Sequence, residues 1–236
     1  MNSAVKANGF WSPSPVGQIH NFIGRGVPKE GSFLDHRHAF IRNIAYNLQY
    51  LEYLNYTLIE TQLHSTVQAL TQKTFVMTGM SVIEALLWFV LKNSNQLKMN
   101  QWEEINKLDT QIFKENGYHY KIANVISKKL ETPIEIEMSL DAMIKSVESK
   151  KLLGVNNQVY KELNYLRKLR NRIHIHSVQH DKDTDWWSFG NNQVNLMKGV
   201  LGNVLRSELF NSPPEKLVIF EYLIVEESMK KLASEL

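Results

Sequence analysis

Residues 165–176 read YLRKLRNRIHIH and combine a leucine stripe with basic side chains and histidines. At about 100° per residue, one apolar face of a helix through this stretch comprises Leu163, Leu166, Leu169 and Ile173. Such a face predicts a helix that packs in a protein core. Its basic residues would lie beside that core, so this helix organises both the predicted fold and a candidate site.

Composition indicates a folded, soluble protein. Of 236 residues, 43% are hydrophobic and 22% are charged, which argues against disorder. There is no cysteine, which excludes disulfides and cysteine nucleophiles and is compatible with the cytoplasm, where we expect the protein to act. The longest apolar run covers residues 85–91, far short of the ~20 residues that cross a bilayer. We expect no membrane span and no secretory signal.

Periodicity predicts a mainly α protein, an up-and-down helical bundle with a small β-insertion. The predicted helices cover residues 36–67, 70–91, 100–108, 123–130, 139–153, 156–176, 191–210 and 215–232. Within an insertion at about residues 110–138, Glu115-Asn116-Gly117 predicts a hairpin turn, and residues 134–138 alternate like a strand. Residues 181–190 are expected to form a loop.

The first 35 residues differ in character from the rest. They carry three prolines and five glycines, so we expect an arm without regular structure that packs on the body or on a partner chain. Asp35 is the expected N-cap of the helix that follows. Residues 36–236 are expected to form the helical domain.

Two patterns in the first long helices have more than one interpretation. Tyr46, Tyr50, Tyr53 and Tyr56 recur at helical spacing; they could stack on bases, line the core edge or form a dimer contact. In the second helix, residues 77–92 are apolar nearly all round except for Glu84. A carboxylate there needs a partner, so Glu84 is predicted to pair with an arginine of residues 165–176, as a structural ion pair or as support for a site.

The charge is concentrated near the leucine stripe. The chain carries a net +3, whereas residues 161–182 contain six Lys or Arg residues and two acids. This local excess suits a face that contacts phosphate, with Arg167 and Lys168 as candidate RNA contacts. The alternative is a solvated basic helix.

Arginine and histidine together suggest RNA cleavage. A metal-free reaction needs a base, an acid and cations on the phosphate. In an ideal helix Arg170 neighbours His174, one turn further on, whereas His176 lies on the opposite flank. His176 reaches Arg170 only if the helix unwinds after Ile173 or if a second chain shares the site. Alternatively, one histidine caps the helix end and the other is solvated.

Residues 166–176 resemble the signature helix of HEPN domains, in which arginine is usually followed by a polar residue and, after four to six intervening residues, by histidine. Arg170, Asn171 and His176 match this pattern with five intervening residues, whereas His174 falls outside it with three. Residues 79–87, which contain Glu84, resemble the apolar second helix of many HEPN proteins. Residues 183–186 and the helix after them resemble the loop and helix that follow the motif in a bacterial subgroup of HEPN proteins. The resemblance therefore extends over about residues 36–232.

The resemblance implies an HEPN-like bundle that forms a homodimer, in which two Arg…His motifs create one composite, metal-independent endoribonuclease site without a cofactor. Arg170 would bind the phosphate, His176 or His174 would transfer protons, and Asn171 would orient a histidine or a phosphate oxygen. Glu84 would support Arg170 or Arg172. It also implies bacterial antiviral defence, as a toxin or abortive-infection effector with an antitoxin or regulatory partner. Some HEPN proteins are instead non-catalytic interaction or assembly modules.

Overall fold

The computed structural model shows a mainly helical protein with small antiparallel sheets. It describes residues 11–27, 36–108, 111–173, 180–181, 184–210 and 217–225. The α-helices are α1 (Val16–Gly26), α2 (Arg37–Glu60), α3 (Ser65–Asn93), α4 (Leu140–Ser149), α5 (Asn157–Arg170), α6 (Asp185–Ser188) and α7 (Asn191–Leu205). The strands are β1 (Met99–Lys107), β2 (Gln111–Glu115), β3 (Tyr118–Ile122) and β4 (Val125–Glu135). The mainly α prediction is confirmed.

Helix α3 is the centre of the helical unit, which the chain forms from Met1–Ser94 and Leu140–Leu236. It contacts α2, α4, α5, α6 and α7. Its residues 77–92 are apolar nearly all round, so this part of the helix can bury several faces at once. At Gly79 the approach of α7 is so close that an added Cβ would lie 2.7 Å from Met197 Cγ. Glycine at this position therefore permits the α3–α7 contact.

The expectation of an irregular N-terminal arm is wrong for residues 16–26, which form α1. Ile19, Phe22 and Ile23 are buried at helical spacing, and Phe22 packs against Phe210 with ring centroids 5.2 Å apart. A Cβ on Gly26 would lie 2.6 Å from Phe210 Cδ1, so this glycine serves close packing rather than chain flexibility. Through these side chains α1 packs on the helical unit.

A polar network fixes residues 11–15 on α2. The backbone N–H of Ser14 donates to Glu52 Oε2 at 2.8 Å and its hydroxyl donates to Oε1 at 3.2 Å. Gln49 Nε2 donates to the Ser14 carbonyl at 2.9 Å. Glu52 is only 9% exposed, and burial raises the pKa of its carboxyl although the two Ser14 hydrogen bonds act to lower it. The network holds Trp11 against α2.

The β-insertion contains more strand than the sequence predicts. Residues 100–108 and 123–130 were expected to be helical, but 100–107 lie in β1 and 125–130 lie in β4, and these strands pair antiparallel. Their periodicity is weak and most of their side chains are exposed, so cross-strand pairing decides their structure rather than a buried helical face. Of the strand predicted at residues 134–138, only the first two residues belong to β4.

The predicted hairpin is confirmed as β2 paired with β3. Asn116 and Gly117 form its turn with φ values of 49° and 84°, the left-handed backbone that a two-residue hairpin favours and that asparagine and glycine tolerate. Residues Asn95–Ser139, which contain all four strands, form a second compact unit. Its exposed apolar side chains include Trp102, Ile112, Phe113, Tyr118, Tyr120 and Ile134.

Other helix boundaries differ in detail from the predictions. The N-cap of α2 is His36, while Asp35 lies outside the described residues. Within the predicted loop at residues 181–190, Asp185–Ser188 form α6. In the described part of the predicted C-terminal helix, Val218–Leu223 form a 3-10 helix with a kink at Phe220, and Ile224 is extended. The last element of the described chain is therefore not an α-helix.

One helix of the described chain, α3, is long and apolar enough to cross a membrane. However, 61% of its most apolar window is buried inside the protein. Core helices of soluble proteins have this property, and the burial is consistent with a soluble protein. Cytoplasmic location stays a prediction.

The Glu52 network makes a prediction about pH. Because the folded pKa of Glu52 lies above the usual 4.5, the folded protein binds more protons than the unfolded chain just above that pH, and stability rises as pH falls. Relative to Glu52→Gln, the wild-type free energy of unfolding should therefore increase from pH 7 towards pH 4.5, by at most about 1.4 kcal/mol per pH unit.

Denaturant unfolding of the two proteins across this pH range tests the prediction. Ser14→Ala serves as a second variant, because the loss of one hydrogen bond to Glu52 should raise its pKa further and enlarge the effect. A wild-type protein that loses stability relative to Glu52→Gln as pH falls would contradict the assignment.

Candidate functional site

Helix α5 carries the candidate site at its C-terminal end. Asn156 is its N-cap, and the Asn156 side chain accepts a hydrogen bond from the Val159 N–H at 3.1 Å. The leucine stripe is buried at Leu163, Leu166 and Leu169, which fixes the rotation of the helix against its neighbours. The last turn contains Arg167, Lys168 and Arg170, where cations interact favourably with the helix dipole.

Arg170 is held by Glu84 of α3. The Nη2 group of Arg170 donates to Glu84 Oε2 at 2.6 Å, so the predicted pairing of Glu84 with an arginine of this stretch is confirmed. The side chains are 34% and 29% exposed. This bond uses one of the five guanidinium N–H donors, and the partial exposure leaves the group accessible to solvent and to an anion.

The α-helix ends at Arg170 instead of continuing to His176. Asn171–Ile173 form a 3-10 turn, in which about three residues complete a turn instead of 3.6. Ile173 is 59% exposed, so its assignment to the buried leucine face is wrong. The ideal-helix angles that placed His174 next to Arg170 therefore do not apply beyond residue 170. His174 and His176 themselves lie outside the described residues.

The remaining basic residues of the motif differ in their surroundings. Arg167 Nη2 lies 3.0 Å from Asp141 Oδ1, and Lys145 bonds the other carboxylate oxygen at 2.7 Å. The Lys145 hydrogen bond, followed by the charge of Arg167, holds the pKa of Asp141 below its usual value. Arg167 thus joins α5 to α4, while Lys168 is exposed and Arg172 is half-buried. The RNA contacts of Arg167 and Lys168 stay predictions, as does the role of Asn171, which is exposed at the helix end.

Contacts that the sequence patterns did not predict fix the segment after the motif on α3. Lys73 Nζ donates to Asp185 Oδ2 at 2.8 Å, and Gln72 Nε2 donates to Asn191 Oδ1 at 2.8 Å. Both pairs join residues more than a hundred positions apart, so no local spacing reveals them. Helix α3 therefore contacts the chain on both sides of residues 174–179, at Arg170 before them and at Asp185 after them.

Lys198 of α7 was also missed. It is buried, and burial lowers its pKa to about 8. In the sequence it is a single lysine among the apolar residues and glycines of 196–202. A lysine in such a stretch commonly buries its aliphatic stem and keeps its ammonium group at the surface. Only the packing around α7 reveals its burial.

The arrangement can bind an anion at the end of α5. Arginine presents a fork of N–H donors that matches phosphate, and a carboxylate behind it fixes its position. A cation in such a position is of the kind that can stabilise charge on phosphate oxygens. Comparison of the chain with models of protein families, with curated proteins and with solved structures finds no match.

The ion pair predicts a measurable contribution to stability. Glu84→Gln should lower the free energy of unfolding by about 1 kcal/mol, because a charge-assisted bond is lost from a half-buried position and solvent screens part of the effect. Denaturant unfolding at pH 7 measures the change.

Glu104→Gln is the matched control. Glu104 lies 4.0 Å from Lys107 with both side chains mostly exposed, and its loss should change stability by less than about 0.5 kcal/mol. Equal effects of the two substitutions would show that Glu84 does not hold Arg170.

Proposed function

We propose that the protein is a metal-independent endoribonuclease of the HEPN type, in which Arg170 binds the scissile phosphate. The observation that carries this proposal is the ion pair of Arg170 with Glu84 at 2.6 Å, with the guanidinium still partly exposed. An arginine held by a carboxylate loses little side-chain freedom when it binds a phosphate. The fixed position favours transition-state stabilisation.

Local charge supports an anionic substrate. Residues 167–172 contain Arg167, Lys168, Arg170 and Arg172 but no carboxylate. Two of these cations face carboxylates of neighbouring helices, Asp141 and Glu84, which lowers the net charge but fixes the positions of the cations. Lys168 adds a positive charge at the surface, where it can contact a neighbouring phosphate.

The proposed reaction uses histidine for the proton transfers. A base removes the proton of the ribose 2′-hydroxyl, whose oxygen attacks phosphorus, and an acid protonates the leaving 5′-oxygen as the P–O5′ bond breaks. His176 is our first choice and His174 the second, because the HEPN spacing favours His176. In an uninterrupted helix, His176 would lie on the flank opposite Arg170. The α-helix ends at Arg170, so this objection to His176 no longer applies.

The proposal also includes a homodimer in which two motifs form one composite site, cytoplasmic action, and a role in antiviral defence as a toxin or abortive-infection effector. A toxin of this kind requires an antitoxin or a regulatory partner protein. These parts come from the resemblance of residues 166–176 to the HEPN signature.

A non-catalytic interaction module is the second candidate. It is favoured by the exposed apolar side chains of Asn95–Ser139, a unit whose two-stranded sheets offer many apolar contacts to a partner. In that case Arg170 and Glu84 only stabilise the fold.

Cleavage of RNA in EDTA tests the proposal. Purified wild-type protein should cut mixed RNA and leave 2′,3′-cyclic phosphate ends. Arg170→Ala should lower the rate about 100-fold or more, because an electrostatic contact to the transition state is lost. His176→Ala should also abolish most cleavage.

His119→Ala, an exposed histidine in β3, is the matched control and should cut at the wild-type rate. The molecular mass of each variant in solution separates the two candidates. If Trp102→Ala, a change of an exposed side chain in the Asn95–Ser139 unit, alters the mass while the wild-type protein cuts no RNA, the protein is an assembly module and the ribonuclease proposal is wrong.

A further inference from the structure

An aromatic stripe runs along the exposed face of α2. We define it as Arg42, Tyr46, Tyr50, Tyr53 and Tyr56 together with Trp11, which packs on it. Tyr46, Tyr50 and Tyr53 are 48%, 44% and 48% exposed, so about half of each residue is open to a ligand. At 1.5 Å per residue, the stripe extends about 21 Å from Arg42 to Tyr56.

The rings of the stripe are ordered against one another. Tyr50 and Tyr53 have centroids 6.1 Å apart and an interplanar angle of 19°. Trp11 stacks on Tyr56 at 4.1 Å with an angle of 12° and lies 6.4 Å from Tyr53. Because the Ser14–Glu52 hydrogen bonds fix the segment next to Trp11, the aromatic surface is formed before any ligand binds.

One end of the stripe carries hydrogen-bond donors for an anion. The Arg42 Cζ atom lies 5.9 Å from the Tyr46 ring centroid, and Arg42 Nη1 lies 3.3 Å from His38 Nε2. Since a guanidinium only donates, His38 Nε2 accepts this bond. The His38 ring also contacts the His20 ring, with centroids 5.1 Å apart. Arg42 thus lies beside the first tyrosine, His38 lies beside Arg42, and His20 lies beside His38.

The charges of α2 favour an anionic ligand. Arg37–Glu60 contain two carboxylates, Glu52 and Glu60. Glu52 is buried and bonded to Ser14, and Glu60 is at the C-terminal end of the helix, beyond the stripe. The exposed positions between Arg42 and Tyr53 are arginine, asparagine and tyrosine.

We infer that the aromatic stripe binds single-stranded RNA, with bases stacked on Tyr46, Tyr50 and Tyr53 and a phosphate bound by Arg42 beside His38. Aromatic rings accept any base, and a nearby arginine contacts the backbone. A duplex hides its bases inside the helix and offers no face to the tyrosines. The choice of RNA over other single strands rests on the proposed function, whereas the stacking surface does not.

Binding of a fluorescent 2′-O-methyl RNA 12-mer, measured by anisotropy with the full chain, tests this inference. This RNA lacks the 2′-hydroxyl nucleophile, so the result does not depend on whether the protein is a ribonuclease. The wild type should bind it more tightly than the corresponding duplex. Tyr50→Ala and Tyr53→Ala should each weaken binding about 5- to 150-fold.

Three further variants complete the experiment. Tyr50→Phe keeps the ring face and should bind within about twofold of wild type, because stacking needs no hydroxyl. Arg42→Ala should reduce the slope of log affinity against log salt concentration by about 0.7. Tyr118→Ala, a more exposed tyrosine in β3, is the matched control and should leave affinity unchanged.

The inference is overturned if Tyr50→Ala and Tyr53→Ala bind like wild type, if Tyr118→Ala weakens binding equally, or if duplex RNA binds more tightly. It is also overturned if Tyr50→Ala converts a dimer to a monomer in sedimentation with unchanged RNA affinity, since the stripe would then be an interface between two copies. If the stripe binds RNA but the protein cleaves none, the proposed ribonuclease function is refuted and the binding inference stands.

Discussion

The burial of α3 is the constraint on which the rest of the helical unit depends. A helix that is apolar nearly all round can only be stable when other helices cover it, and α2, α4, α5, α6 and α7 all contact it. Glu84 is the one carboxylate of this helix, and at its half-buried position it needs a cation or a hydrogen-bond donor. Arg170 meets this need, so the packing of α3 also determines where the candidate phosphate-binding group lies.

Several elements follow from local sequence with a clear physical cause. The leucines of α5 recur at helical spacing and are buried, Asn156 caps the helix that it precedes, and Asn116-Gly117 adopt the left-handed backbone of a tight hairpin turn. In each case the local pattern and the tertiary contacts favour the same structure. The Glu84–Arg170 pair was predictable for a different reason, since a carboxylate inside an apolar helix leaves few choices of partner.

Other elements depend on contacts that are distant in sequence. Glycines suggested that residues 16–26 would be irregular, yet Gly26 is required by the approach of Phe210, and burial of Ile19, Phe22 and Ile23 stabilises α1. Residues 100–107 have charges compatible with a helix, but pairing with β4 makes them a strand. Trp11 stacks on Tyr56, and Ser14, three residues further along the chain, bonds to Glu52 of the same helix. No periodicity within one segment contains that information.

Charge reversal at the Glu84–Arg170 pair tests the central claim most directly. The double variant Glu84→Arg with Arg170→Glu keeps an ion pair between α3 and α5 but removes the cation from the end of α5. If Arg170 contacts the phosphate, the double variant should be more stable than either single variant in denaturant unfolding and should still fail to cleave RNA in EDTA. Recovery of cleavage to the wild-type rate together with stability would show that Arg170 only stabilises the fold, and would contradict the account.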